Sequence, residues 1–164
     1  AALGILVVGE APNYADTYDA KKQYLTYEPG TDPTGSFMFE LLVDTVGLTP
    51  AQVGDVLFAN AIACLPADGP PSPARQRDHC RPWLARLIDD AAPRIVVSLG
   101  VKPLEALRAI EPHNLRVRDA GTAVPWYERH LLPLYHPSRL GQVSRSADLQ
   151  RRDIAALRAF IHGP

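Results

Sequence analysis

The stretch from Leu3 to Val8, apolar at every position but Gly4, constrains this chain more than any other feature. It is too short to cross a membrane. Its length suits a strand buried on both faces, as in a parallel sheet. The run breaks at Gly9, places a carboxylate at Glu10 and turns at Pro12-Asn13. In open α/β sheets, ligands bind just beyond the carboxyl ends of the strands. Glu10 is therefore a site candidate by position alone, with a solvated loop acid as the plainer alternative.

The rest of the chain alternates strands with helices. Thr34-Gly35-Ser36 opens a helix whose apolar face is Phe39, Leu42, Val43 and Val46, and Gly47 stops it. The free N–H groups of such a start, with Ser36, can hold a phosphate. Val56 to Cys64 is a second buried strand in which Asn60 is the odd polar residue. Asn60 either bonds neighbouring backbone or reads the edge of a planar amide-like ligand. After a proline-rich loop, a helix runs to about Ala91, burying Leu84, Leu87, Ile88 and Ala91. Cys80 falls on or near that face as a small buried hydrophobe, and Pro82 allows a kink just after it.

Arg94 to Gly100 is a third strand, followed by a helix from Pro103 covered by Leu104, Leu107 and Ile110. Glu128 to Tyr135 is the last strand and ends at His136-Pro137-Ser138-Arg139-Leu140-Gly141. A final helix is expected from about Ser146 to Ile161. This order predicts a three-layer α/β/α fold around a central, mostly parallel four-stranded sheet, with residues 1–164 forming a single domain. Glu10, Asn60 and His136 then share the carboxyl edge of one sheet, which makes them a pocket hypothesis.

Composition bounds the function. A hydrophobic content of 46% with 21% charged residues fits a soluble globular protein. The net charge of −1 excludes a global basic footprint for nucleic acid but not a local one. Arg139, Arg145, Arg151 and Arg152 make the densest positive cluster. Two cysteines, Cys64 and Cys80, do not make a disulfide scaffold and point to a reducing compartment. No signal peptide is visible, and the abrupt opening in a strand leads us to expect further residues before Ala1. The loop from Tyr14 to Pro33 carries Tyr14, Asp16, Tyr18, Lys21, Lys22, Tyr24 and Tyr27 without periodicity. So long a loop is usually functional. Its tyrosines either stack on bases beside phosphate-binding lysines or pack the loop onto the surface.

These motifs, taken in order, resemble the uracil-DNA glycosylase superfamily, and most closely its thermophile-type branch, family 4. Gly9-Glu10-Ala11-Pro12 looks like the first motif of that branch, and Asn60-Ala61-Ile62-Ala63-Cys64 like its asparagine strand segment. Val97-Ser98-Leu99-Gly100 matches a structural strand, and His136-Pro137-Ser138 looks like the last motif. The sequence departs from the branch at Asn13, where glycine is usual, and at Thr34, where the uracil-stacking phenylalanine would fall. Phe37 or Tyr14 is the substitute stacker.

The resemblance implies hydrolysis of the N-glycosidic bond of uracil, or a related deaminated base, in DNA, in base excision repair. By the resemblance, Glu10 and Asp16 lie near the sugar and the attacking water. The backbone N–H of Ala11 or its neighbour contacts the base, Asn60 bonds the pyrimidine edge, and His136 bonds the base O2. Ser138 contacts phosphate, and Arg139 or Leu140 fills the gap left by the flipped base. Cys64 and Cys80, with fifteen residues between them, look like two of four iron–sulfur ligands. A [4Fe–4S] cluster follows only if two further cysteines precede residue 1. The implied partner is DNA, single- or double-stranded, bound by a monomer in the cytoplasm at the nucleoid, with no membrane role. Two other readings compete. One is a catalytically weak or inactive member that binds nucleic acid or a protein. The other is a small nucleotide-processing α/β enzyme, although no phosphate loop of the GxxxxGK type is present.

Overall fold

A computed structural model describes residues 3–11, 33–63 and 73–161. Its centre is a five-stranded sheet in the order β2-β1-β3-β5-β4. The strands are β1 Ile5–Gly9, β2 Leu57–Asn60, β3 Ile95–Leu99, β4 Val124–Trp126 and β5 Arg129–Leu134. β1 pairs in parallel with β2 and β3, and β3 in parallel with β5. Only β4 is antiparallel.

Every residue of β1 and of β3 is buried, as apolar runs with no polar alternation require. Ile5 and Val7 face one helical layer, where Met38, Leu41, Leu42, Val46, Ile154 and Leu157 close the core. Leu6 and Val8 face the other, against Leu84, Ile88, Leu104, Leu107 and Trp126. The three-layer expectation therefore holds. Helices α1 (Pro33–Glu40), α2 (Pro50–Val53), α6 (Ala147–Ile154) and α7 (Arg158–Ile161) belong with the first face. Helices α3 (Pro73–Ala91) and α4 (Val101–Ile110) belong with the second. Cys80 is buried on α3, as its spacing before Leu84 implies. No described helix is long and apolar enough to cross a membrane.

The expected count of four strands is corrected by β4. Val124-Pro125-Trp126 is short, and its central proline argues against a strand. His130 pairs with Pro125, yet its N–H donates to the Arg94 carbonyl on the β3 side at 3.1 Å. The backbone of Pro125 therefore faces outward, where a missing N–H breaks no ladder bond and leaves the sheet edge without a donor. The connecting turn, Tyr127-Glu128, has φ of 48° and 58° and no glycine. Glu128, expected inside the last strand, belongs to that turn.

Two helical expectations are also refined. The first helix continues past Glu40 as a π-helical stretch, Leu41–Val46, before Gly47 ends it at φ 92°. The expected final helix is broken: α6 gives way to a 3-10 turn at Ala155–Leu157 and then to α7. A short helix absent from the expectation, α5 (Arg139–Ser144), follows the last strand.

Candidate active site

The four parallel strands finish on one edge. Gly9 is in register with Asn60, Val8 with Ser98, and Leu99 with Leu134. The ladder continues past the strands, because the Ala61 N–H donates to the Gly9 carbonyl at 2.8 Å and the Ile62 N–H to the Glu10 carbonyl at 2.9 Å. The backbone of Gly9 and Glu10 is thus held beside Asn60, and Glu10 and Ala11 are exposed. Asn60 is half-buried, and its carboxamide lies across Gly9.

On the other side of β1, the Gly100 N–H donates to the Leu134 carbonyl at 2.8 Å. His136 lies two residues further on, with its Cβ 3.8 Å from where a Gly100 side chain would begin. The Ser138 N–H donates to His136 Nδ1 at 3.2 Å. That nitrogen is therefore an acceptor, and a neutral imidazole carries its proton on Nε2 as a donor. Pro137 is buried and supports this corner. Glu10, Asn60 and His136 are thereby gathered on one edge, as the strand ends imply.

Past His136, the Ser138 hydroxyl caps α5 by accepting the Gly141 N–H at 3.2 Å. Gly141 packs so closely on the His136 carbonyl that no Cβ could be placed there. Arg139 is exposed, and Leu140 and Val143 are 80% and 84% exposed. Large apolar side chains this open beside a site call for an explanation. Val143 was not foreseen, because nothing in the sequence marks α5 as a helix one turn long beyond Leu140.

Thr34 and Ser36 lie in the first turn of α1, both half-buried. Phe37 does not present an open ring. It is packed in the core, and the Arg151 guanidinium lies 5.6 Å over its face, held by Glu40 at 2.6 Å. Tyr14, Asp16 and Cys64 lie outside the described residues. An open groove runs between residues 111–115 and the turn from β4 to β5. It lies at the amino end of β5, on the sheet edge opposite His136.

No group of three or more described His, Cys, Asp or Glu residues is arranged to hold a metal ion. A [4Fe–4S] cluster takes four thiolates. The chain has two cysteines, and Cys80 is 2% exposed on the inward face of α3. These residues do not by themselves fit the cluster.

The family model of the uracil DNA glycosylase superfamily matches residues 1–158. The chain is 24% identical to a type-4 uracil-DNA glycosylase of Sulfurisphaera tokodaii over 140 residues, covering 82% of this chain and 59% of that protein. It is 24% identical to one of Saccharolobus solfataricus over 142 residues, covering 82% and 60%. Against one of Pyrobaculum aerophilum it is 27% identical over 105 residues, covering 64% and 48%. The chain thus spans between about half and three fifths of the length of these relatives.

Proposed function

The chain belongs to the uracil DNA glycosylase superfamily, and on that premise we propose that it hydrolyses the N-glycosidic bond of uracil, or of a related deaminated base, in DNA. The observation that carries this is the placing of Asn60 and His136 on one sheet edge, with His136 Nδ1 occupied by the Ser138 N–H.

The reaction needs opposite charges in two places. As the bond from C1′ to the base nitrogen breaks, positive charge grows on the sugar and negative charge on the departing base. Water adds to C1′, one of its protons reaches the base, and an abasic sugar remains. The exposed Glu10 carboxylate is suited to the positive sugar. Asp16 is proposed as the group that positions or activates the water. On the other side, the His136 Nε2–H donates to the base O2 as anionic charge gathers there. This preorganised donor costs no rearrangement during the reaction. The Asn60 amide offers one donor and one acceptor to the pyrimidine edge, an order that separates uracil from cytosine. The Ala11 N–H completes the base contacts. Thr34 and Tyr14 remain the proposed neighbours of the base ring, while the covering of Phe37 by Arg151 favours a core role for that residue.

A base within a duplex must first be flipped out. Leu140, exposed on a helix that buries nothing, is suited to fill the gap it leaves. The Ser138 hydroxyl, whose oxygen accepts from Gly141, still has its proton to give to a phosphate, and Ser36 is proposed as a second phosphate contact in the first turn of α1. Arg139 adds charge beside them. Residues 1–164 are proposed to act as one domain and one monomer, on the DNA of the nucleoid in base excision repair.

Labelled oligonucleotides carrying uracil opposite guanine, uracil opposite adenine, unpaired uracil, or hypoxanthine opposite thymine test this directly. Strand breakage after alkali at any of them supports the glycosylase and ranks its substrates. Binding without breakage would select the non-enzymatic alternative.

A further inference from the structure

We propose that the ion pair of Arg145 with Asp153 is a positioning device that holds α5, and with it Leu140, at the height needed to reach a base inside a duplex. The proposal rests on the glycosylase reading of the site.

α5 has six residues and buries none of them. A helix so short has little stability of its own. Among the described residues it has no buried face, so its place is set chiefly by its two ends, with Gln142 Nε2 adding a bond to the Pro137 carbonyl at 3.3 Å. The amino end is tied through Ser138 and through the packing of Gly141 on His136. The carboxyl end is tied through Arg145. Its N–H donates to the Gly141 carbonyl at 2.9 Å, and its own carbonyl accepts from Gln150 Nε2 at 2.9 Å. Its guanidinium grips Asp153 with both arms, Nε to Oδ2 at 2.9 Å and Nη2 to Oδ1 at 2.7 Å. Paired bonds of this kind fix direction as well as distance.

The anchor is itself buried and closely packed. Asp153 is 6% exposed on α6, next to the core residue Ile154. It is seated against Gly121, where a Cβ would come within 3.0 Å of the Asp153 Cα. The Gly121 N–H donates to the Pro133 carbonyl of β5 at 3.2 Å. A continuous path therefore runs from β5 through Gly121 and Asp153 to Arg145 and the end of α5. The Arg145 guanidinium also lies 5.9 Å over the ring of Tyr135, the residue before His136. Its hydrogen bonds to Asp153 hold its pKa above the ordinary value. A guanidinium engaged on both sides in this way holds structure; it is not left free to grip a phosphate.

Arg145→Lys keeps the charge and loses the two-armed grip. Asp153→Asn is the second variant, should the first be absorbed by local repacking. Two readouts apply to both: hydrogen exchange at residues 139–144, and single-turnover cleavage of uracil in a duplex and in the same strand unpaired. The expected result is faster exchange confined to α5. Duplex cleavage should fall by about tenfold, as misplacement of a supporting group can cause, and unpaired cleavage by less than about threefold. In combination with Leu140→Ala, the duplex losses should not add, because both act through α5. Equal losses on both substrates, additive losses with Leu140→Ala, or unchanged exchange in α5 would each overturn the proposal. If the wild type cuts duplex alone, the cycle with Leu140→Ala decides. A wild type that cuts nothing would sink the functional reading, and the exchange measurement would still decide whether the pair holds α5.

Discussion

A Cβ placed on Gly9 would stand 2.6 Å from Asn60 Oδ1. Gly9 has no left-handed backbone to explain it; it closes β1 within the parallel ladder. The close approach of the Asn60 amide is what requires a residue without a side chain here. Gly9→Ala should therefore push the carboxamide aside and lower glycosylase activity by about tenfold or more. The double variant with Asn60→Ala should be no slower than Asn60→Ala alone. Losses that add would mean that Gly9 acts elsewhere.

Asn60→Ala and His136→Ala should each lower single-turnover cleavage by more than about tenfold, the scale of losing one preorganised donor. Neither should unfold the protein, since both side chains are half-buried at a strand end. His136→Gln, which keeps an N–H donor, should retain more activity than His136→Ala. Turnover equal to wild type in any of these would remove that residue from the mechanism.

Much of this arrangement can be read from the chain because burial on both faces leaves a plain mark. β1 is a continuous apolar run and β3 one broken only by Ser98, while the polar Asn60 and His136 stand at the carboxyl ends of the parallel strands β2 and β5 beside them. β4 leaves no such mark. Its proline is tolerated only because the Pro125 backbone faces outward, and its turn uses Tyr127-Glu128 instead of the Asn-Gly that would announce a hairpin. α5 is only six residues long, and its apolar pair Leu140 and Val143 is too short a pattern to establish a period. The grip of Arg145 on Asp153 spans eight residues between two helices, a spacing without meaning until the chain is folded. Phe37 illustrates the reverse case: as a lone aromatic it suits stacking on a base, and only the fold reveals Arg151 lying over it.

The stability of this protein should depend on His113. Its Nε2 lies 3.2 Å from the Leu104 carbonyl and can only donate to it, while its Nδ1 is buried with no hydrogen-bond partner among the described residues. Protonating Nδ1 would bury a charge without a partner, close to Arg108. Desolvation first, and Arg108 second, hold the pKa below the ordinary 6.5. As pH falls, the unfolded chain binds a proton at this histidine before the folded one does. The contribution is therefore complete above about pH 6.5 and is lost as pH falls toward and through the lowered value. His113→Gln should show a smaller fall in melting temperature between about pH 7 and pH 5 than wild type. An unchanged slope would show that His113 does not titrate with unfolding.

Arg139 is exposed at the first position of α5, between the capping Ser138 and the apolar Leu140. No ion pair is seen for it among the described residues, in contrast with Arg145 and Arg151, which are held by Asp153 and Glu40. With a net charge of −1, the protein has little general attraction for DNA, so local cations must supply it. A single phosphate contact contributes close to one unit to the slope of log K against log salt. Arg139→Glu should therefore weaken DNA binding and lower that slope by about one unit. The loss should be similar for every sequence and for damaged or undamaged strands, since a phosphate contact carries no base information. Binding weakened only on uracil-containing duplex, with an unaltered slope, would instead make Arg139 part of the wedge beside Leu140. Binding unaltered in both respects would place the DNA on another face of the molecule.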